Sequence, residues 1–234
     1  MISLTFGDKT IDAVVFDLDG TLIHTTVDFS RMKHRLMEEL TRWNVPTALL
    51  DPQDTIVGNL ERAVRDLASQ GRGAEEGELR DRVGRLMDLT EMERVSETRP
   101  VEGSNDCLDS LKRNGIRMGL LTRGSRAYAL KALHHAGLGQ RFDVMVCRDD
   151  HPEEEAKPNV KAMERVAAQL GTSPRKCLMV GDHFIDLSCA RSASAHFIGV
   201  LTGSFGQHDW SRYDCPAVIT SVVELPARLG IKKM

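Results

Sequence analysis

Apolar positions fall into two contrasting patterns along the 234 residues. Between residues 23 and 97 they recur at helical spacing and no segment reads convincingly as a strand. Met32, Leu36, Leu40 and Trp43 form one stripe, ended by Asn44 and Pro46. Ile56, Leu60, Val64 and Leu67 form a second, and Leu79, Val83, Leu86 and Leu89 a third, interrupted by Gly84. Such stripes are helix cores facing one another, with the charged residues between them on solvated faces. On either side the pattern changes. Residues 1–22 read as two strands, from Ile2 to Phe6 and from Ile11 to Phe16, joined by a Gly7-Asp8 turn. From Arg99-Pro100 onward, helices and short apolar runs alternate. Helices are expected over 104–114, 125–136, 159–170 and 184–193. Strands are expected over 116–121, 142–147, 177–180, 196–201 and 217–220, the last leading into a short helix.

Short apolar strands separated by helices specify a parallel sheet with both faces covered, the architecture of an α/β domain. The first strand belongs to that sheet, yet the helical stretch separating it from the rest is far longer than an ordinary crossover. The expected organisation is therefore a Rossmann-like, doubly wound parallel core built from residues 1–22 and 98–234, with a helical domain inserted over residues 23–97.

Composition narrows the class. The chain is 41% hydrophobic and 28% charged with a formal net charge of −3, which provides neither the basic footprint of a nucleic-acid binder nor a polybasic membrane patch. No apolar run approaches the roughly 20 residues that span a bilayer. The N-terminus lacks the basic start and apolar centre of a signal peptide. Cys107, Cys147, Cys177, Cys189 and Cys215 contain no CxxC pair and sit mostly in apolar stretches, the pattern of buried reduced thiols. These features predict a cytoplasmic globular protein with no nucleic-acid or membrane partner. They do not set its oligomeric state.

In a doubly wound sheet, sites form beyond the carboxyl ends of the strands, and the chemistry-bearing residues fall there. The first core strand runs into Asp17-Leu18-Asp19-Gly20-Thr21. Alternating side chains of a strand point to opposite faces, so two acids at i and i+2 serve one site only if the chain turns after the first, and Gly20 permits that turn. Paired carboxylates among small residues suit a hard cation and a phosphoryl group, although Asp and Gly also make plain turns. The strand 116–121 ends at Thr122-Arg123-Gly124-Ser125, where Thr122 is either an anion ligand or a helix cap. Lys157-Pro158 precedes the helix at 159, and a Pro there suits the first helical turn. The strand 177–180 ends at Gly181-Asp182-His183-Phe184-Ile185-Asp186, a second acid pair beside a glycine.

These four segments together closely resemble the haloacid dehalogenase superfamily of aspartate-nucleophile phosphohydrolases, in particular its phosphoglycolate phosphatase-like branch. Residues 23–97 resemble that family's small helical cap. The resemblance implies a phosphatase acting on a small phosphorylated metabolite. By resemblance Asp17 is the nucleophile, Asp19 the general acid and base, and Thr122 and Lys157 further catalytic residues. A bound Mg²⁺ is implied, held by Asp17, Asp19 through its backbone carbonyl, Asp182 and Asp186. Substrate contacts fall to Thr122, Arg123, Gly124 and His24, with Arg123 equally suited to a surface salt bridge. The chain departs from the branch after the first motif, where Leu22-Ile23-His24-Thr25-Thr26 replaces the usual Leu-Val/Ile-Asp-Ser. That departure weakens any transfer of substrate identity.

A 2-haloacid dehalogenase needs neither Asp19 nor a metal, so Asp19 argues against it. A phosphonatase requires a cap lysine, and Lys33, the one lysine between residues 23 and 97, lies earlier than that family's. A phosphomutase uses the same two acids, and a non-catalytic binding module retains the scaffold without the chemistry. His183 is expected as a hydrogen-bonded or surface histidine, Asp149–Glu155 as a solvated acidic loop, and Gly203-Ser204-Phe205-Gly206 as a flexible turn.

Overall fold

The computed structural model describes residues 4–6 and 9–231. The expected start at Ile2 and the Gly7-Asp8 turn lie outside the described residues. In chain order the elements are β1 (Leu4–Phe6), β2 (Lys9–Ile11), β3 (Ala13–Phe16), β4 (Ile23–His24), α1 (Phe29–Arg42), α2 (Ile56–Ser69), α3 (Glu76–Met92) and β5 (Arg99–Pro100). They continue with α4 (Ser104–Arg113), β6 (Arg117–Leu121), α5 (Arg126–His135), β7 (Val144–Val146), α6 (Val160–Gln169), β8 (Cys177–Gly181), α7 (Phe184–Ser192), β9 (His196–Val200), α8 (Gln207–Arg212), β10 (Val218–Ile219) and α9 (Leu225–Arg228). The chain forms two compact units, one of residues 1–25 with 96–234 and one of residues 26–95.

The first unit is built on a six-stranded sheet in the order β10-β9-β8-β3-β6-β7, with every pairing parallel. It is the α/β, Rossmann-like architecture that the alternation of strands and helices specifies. All four residues of β3 are buried, as are all five of β8. Alternation explains this: Ala13, Val15, Cys177 and Met179 pack with α6 and α7 through Ala162, Val166, Leu187 and Ala190. Val14, Phe16, Leu178 and Val180 therefore turn to the opposite face, where they too are fully buried. The chain order reverses around β3, with β6 and β7 on one side and β8 to β10 on the other. The carboxyl ends of β3 and β8 thus flank the switch point at which such sheets open a crevice.

The expected strand 11–16 is divided at Asp12. Its first residue pairs in an antiparallel ladder with β1, while Ala13 onward joins the parallel sheet. A second small ladder places a strand where none is expected, in residues 23–97: Ile23 pairs with Pro100 and His24 with Arg99.

In the helical unit, Leu36 and Leu40 of α1, Leu60, Ala63 and Leu67 of α2, and Leu79 and Val83 of α3 share one core. Asp28 caps α1 by accepting from the Arg31 amide at 2.8 Å, and Thr55 caps α2 by accepting from Gly58 at 2.9 Å. The third stripe differs from expectation. Leu89 is 68% exposed, and the buried face of α3 continues from Val83 through Met87 to Thr90 and Glu91. A stride of four from Leu79 to Val83 to Met87 turns that face away from Leu89. No helix among the described residues is long and apolar enough to cross a membrane. The five cysteines are free thiols. Burial pushes Cys107, Cys177 and Cys189 up to about 12.

Candidate active site

The β3 strand delivers Asp17 to the carboxyl edge of the sheet, where its amide donates to the Val180 carbonyl at 2.9 Å and so continues the pairing with β8. Asp17, Lys157, Asp182 and Asp186 meet there, although they come from three separate stretches of chain. Lys157 donates to Asp17 Oδ1 at 2.5 Å and to Asp186 Oδ1 at 2.7 Å, and its side chain is only 3% exposed. Oxygens of Asp17, Asp182 and Asp186 all lie within 4.8 Å of one another.

Three buried carboxylates thus face one ammonium, and the imbalance appears in their proton affinities. Burial, with repulsion from Asp186 and Asp182, holds Asp17 well above the usual carboxylate range in spite of Lys157. Burial and Asp186 likewise raise Asp182. For Lys157, burial opposes the charged form, but Asp17 and Asp186 outweigh it and raise the ammonium's pKa. Hard oxygen donors carrying excess negative charge in a compact buried group fit a divalent cation such as Mg²⁺.

Each member is held by specific local structure. Asp182 follows β8 directly, and its Oδ2 accepts from the Ser204 amide at 2.6 Å while its carbonyl accepts from Phe205. Gly20, at φ +77°, and Gly203 both approach it so closely that a Cβ on either would collide with its carboxylate. The segment 203–206, expected as a flexible turn, is therefore the clasp that orients Asp182. Asp186 stands in the first turn of α7 and accepts from the His183 amide at 3.2 Å, while His183 Nδ1 accepts from the Ile185 amide. His183 is accordingly the helix cap of α7, with its ring against Phe205 at 4.7 Å between centroids.

Thr122 continues β6, its amide donating to Val146 and its Oγ1 accepting from Gly124 at 3.0 Å, in a turn that leads into the Ser125 cap of α5. The Arg123 guanidinium donates to the Lys157 carbonyl at 3.1 Å and to Glu153 at 2.5 Å, so it ties the turn after β6 to the segment carrying Lys157. Lys157-Pro158 is a cis peptide and α6 starts at Val160 behind an Asn159 cap, so Pro158 precedes the helix instead of occupying its first turn.

The acidic run is likewise anchored, where a solvated loop is expected. Asp150 accepts from Arg126 and from the Cys147 amide, Glu153 from Arg123, and Glu155 from Lys161 and Arg165. Each of these acids lies within reach of a basic side chain on the adjoining helices or turns, a pairing that spacing along the chain does not reveal.

Asp19 is partly buried, and Tyr128 donates its hydroxyl to Asp19 Oδ1 at 2.6 Å. Burial raises the proton affinity of Asp19, opposed by hydrogen bonds from Tyr128 and Thr25. Tyr128 has no counterpart among the residues expected from sequence. A signal was present: it is the one polar-tipped residue on the α5 face formed with Ala129, Ala132 and Leu133, and a buried tyrosine hydroxyl requires a partner. His24 lies exposed on β4, and Lys33 lies on α1 in the helical unit.

Residues 11–194 match the model of the haloacid dehalogenase-like hydrolase family. The chain is 29% identical over 216 residues to a phosphoglycolate phosphatase of Nitrosospira multiformis, covering 92% of this chain and 93% of that protein. It is also 29% identical over 233 residues to a pyrophosphatase of Bacillus velezensis, covering 96% and 99%. Among solved structures, a hydrolase from Pseudomonas syringae superposes with a TM-score of 0.68 at 20% identity, covering 94% of this chain and 98% of that one.

Proposed function

The chain belongs to the haloacid dehalogenase-like hydrolases, and from that premise we propose that it is a Mg²⁺-dependent phosphatase. In this reading it hydrolyses a small phosphorylated metabolite, a phosphoglycolate-like phosphomonoester, through an aspartyl-phosphate on Asp17. The observation that carries the reading is the pairing of Asp17 with Lys157 inside a buried group of three carboxylates, at the end of the strand whose following turn bears Asp19.

The Asp17 carboxylate attacks phosphorus, and the bond from phosphorus to the ester oxygen breaks. The departing oxygen keeps the electron pair and takes a proton from Asp19. Asp19, now ionised, takes a proton from the water that attacks the phosphoryl group. The bond to Asp17 then breaks, returning its electrons to the carboxylate and freeing inorganic phosphate. Lys157 holds Asp17 oriented and balances charge as the phosphoryl group arrives. Thr122, with Gly124 and the start of α5, receives the phosphoryl oxygens. Asp17, the Asp19 carbonyl and Asp182, with Asp186 directly or through water, would hold the cation, which when bound neutralises the carboxylates and the transferring group. The helical insertion takes the part of the family's small cap, which selects the remainder of the substrate. The free thiols suit the reducing cytoplasm.

The test is phosphate release from phosphoglycolate, pyrophosphate and a panel of sugar phosphates, with and without Mg²⁺. Release of free phosphate, as opposed to transfer to a second hydroxyl of the product, separates hydrolysis from a mutase. Asp17→Asn is expected to lower kcat by at least about 10³-fold, as loss of a nucleophile does. Undiminished Mg²⁺-dependent release by that variant overturns the assignment.

A further inference from the structure

The Tyr128 side chain is fully buried and spans two of the turns at the sheet's carboxyl edge. Its ring lies against Gly124, where a Cβ would stand 2.7 Å from Tyr128 Cδ1, and its hydroxyl reaches Asp19 at 2.6 Å. Its own amide is held by the Ser125 cap at 3.3 Å, so the ring's place in the first turn of α5 is fixed from the backbone. One rigid side chain therefore connects the turn carrying Thr122 to the second acid of the first motif.

We propose that Tyr128 is a positioning residue for proton transfer by Asp19. This rests on the reading of Asp19 as general acid and base. A tyrosine hydroxyl at neutral pH is a donor to a carboxylate, and the bond to Oδ1 directs the carboxyl proton to Oδ2. When the bond from phosphorus to the leaving oxygen breaks, that oxygen takes the Oδ2 proton and keeps the electron pair. The Asp19 carboxylate that remains still accepts the Tyr128 hydroxyl at Oδ1. The hydrogen bond thus holds the carboxyl plane in one orientation through both halves of the reaction, and the ring's packing on Gly124 keeps that orientation registered to the Thr122 turn.

The experiment compares Tyr128→Phe, which keeps the ring and removes only the O–H, with the wild type on p-nitrophenyl phosphate and phenyl phosphate, in the presence of Mg²⁺. Both aryl groups are similar in size, but p-nitrophenolate departs without help and phenolate benefits from a proton. The variant is expected to lose about tenfold in kcat/KM on phenyl phosphate, the scale of one hydrogen bond, and less than twofold on p-nitrophenyl phosphate, with an unchanged melting temperature. In an Asp19→Asn background the same substitution is expected to change phenyl phosphate turnover less than twofold, because there is no acid left to orient. Equal losses on the two esters, no loss on either, or a full effect that persists without Asp19 overturns the proposal. Absence of hydrolysis of both esters by the wild type overturns the phosphatase reading itself, and the two failures are therefore distinct.

Discussion

Charged side chains pair in the helical unit and at the carboxyl edge of the sheet, but the two settings differ in balance and in burial. In the helical unit Arg80 donates to Glu61 and Glu76, both at 2.8 Å, Arg82 to Glu39 at 3.0 Å, and Arg35 to Glu93 at 2.6 Å. These arginines retain 28–56% of their side-chain exposure. At the sheet edge, Lys157 and Asp186 are 3% and 2% exposed, and acids outnumber the base. The pairs on the helices follow helical spacing and adjacent faces and contribute modestly in water. The cluster at the strand ends is drawn from residues far apart in sequence, and its three carboxylates outnumber the one ammonium that pairs with them. Balanced charges on a surface stabilise an element slightly, whereas unbalanced charges in the interior mark a place prepared for another ion or a reacting group.

That contrast can be broken from its strongest side first. Lys157→Met keeps the length of the side chain but leaves Asp17 and Asp186 buried without their cation. Urea denaturation is expected to show a loss of about 3–5 kcal/mol, the usual consequence of removing one partner of a buried pair. Turnover is expected to fall by about 10²-fold or more, as when one preorganised donor is lost. A smaller effect comes from supplying the missing positive charge. Mg²⁺ at a hundredfold excess over its Kd is expected to stabilise the folded chain by about 2.7 kcal/mol, and Asp182→Asn to remove most of that gain in a thermal melt. At the weak end, Arg80→Ala on the helical unit is expected to cost less than about 1 kcal/mol, with phosphate release unchanged. A cost from Arg80→Ala matching that from Lys157→Met would erase the distinction.

How far these regions were legible in the sequence follows the same division. The strands of the core could be read from their apolar runs, and Asp17 after Phe16 or Asp182 after Gly181 because they follow such runs directly, whereas Lys157 follows an acidic run and was legible only from its place before a helix. Ile23 and His24 gave no such sign, since a two-residue ladder depends on a partner more than seventy positions away, at Arg99 and Pro100. The clasp on Asp182 escaped for another reason. Ser204 contributes a backbone amide, which any residue but proline supplies, so its identity carries little information. Leu89 reads as core from its spacing because helical spacing allows strides of three or four, and only packing chooses between them. Tyr128 is not legible as a site residue because its ring reads as core and its hydroxyl donates to a carboxylate 109 positions away.

The β4–β5 ladder carries a consequence for how such a chain diversifies. Ile23–His24 and Arg99–Pro100 run antiparallel, so the backbone leaves the α/β unit and re-enters it through one doorway. The closure of that large excursion is settled at the doorway, and the parallel strands experience its two ends as neighbours, whatever number of helices lies beyond. Closure entropy grows only slowly with loop length, so the excursion is free to lengthen, shorten or exchange helices while Asp17 and Asp19 keep their register one turn upstream. The ladder makes the insertion a replaceable module.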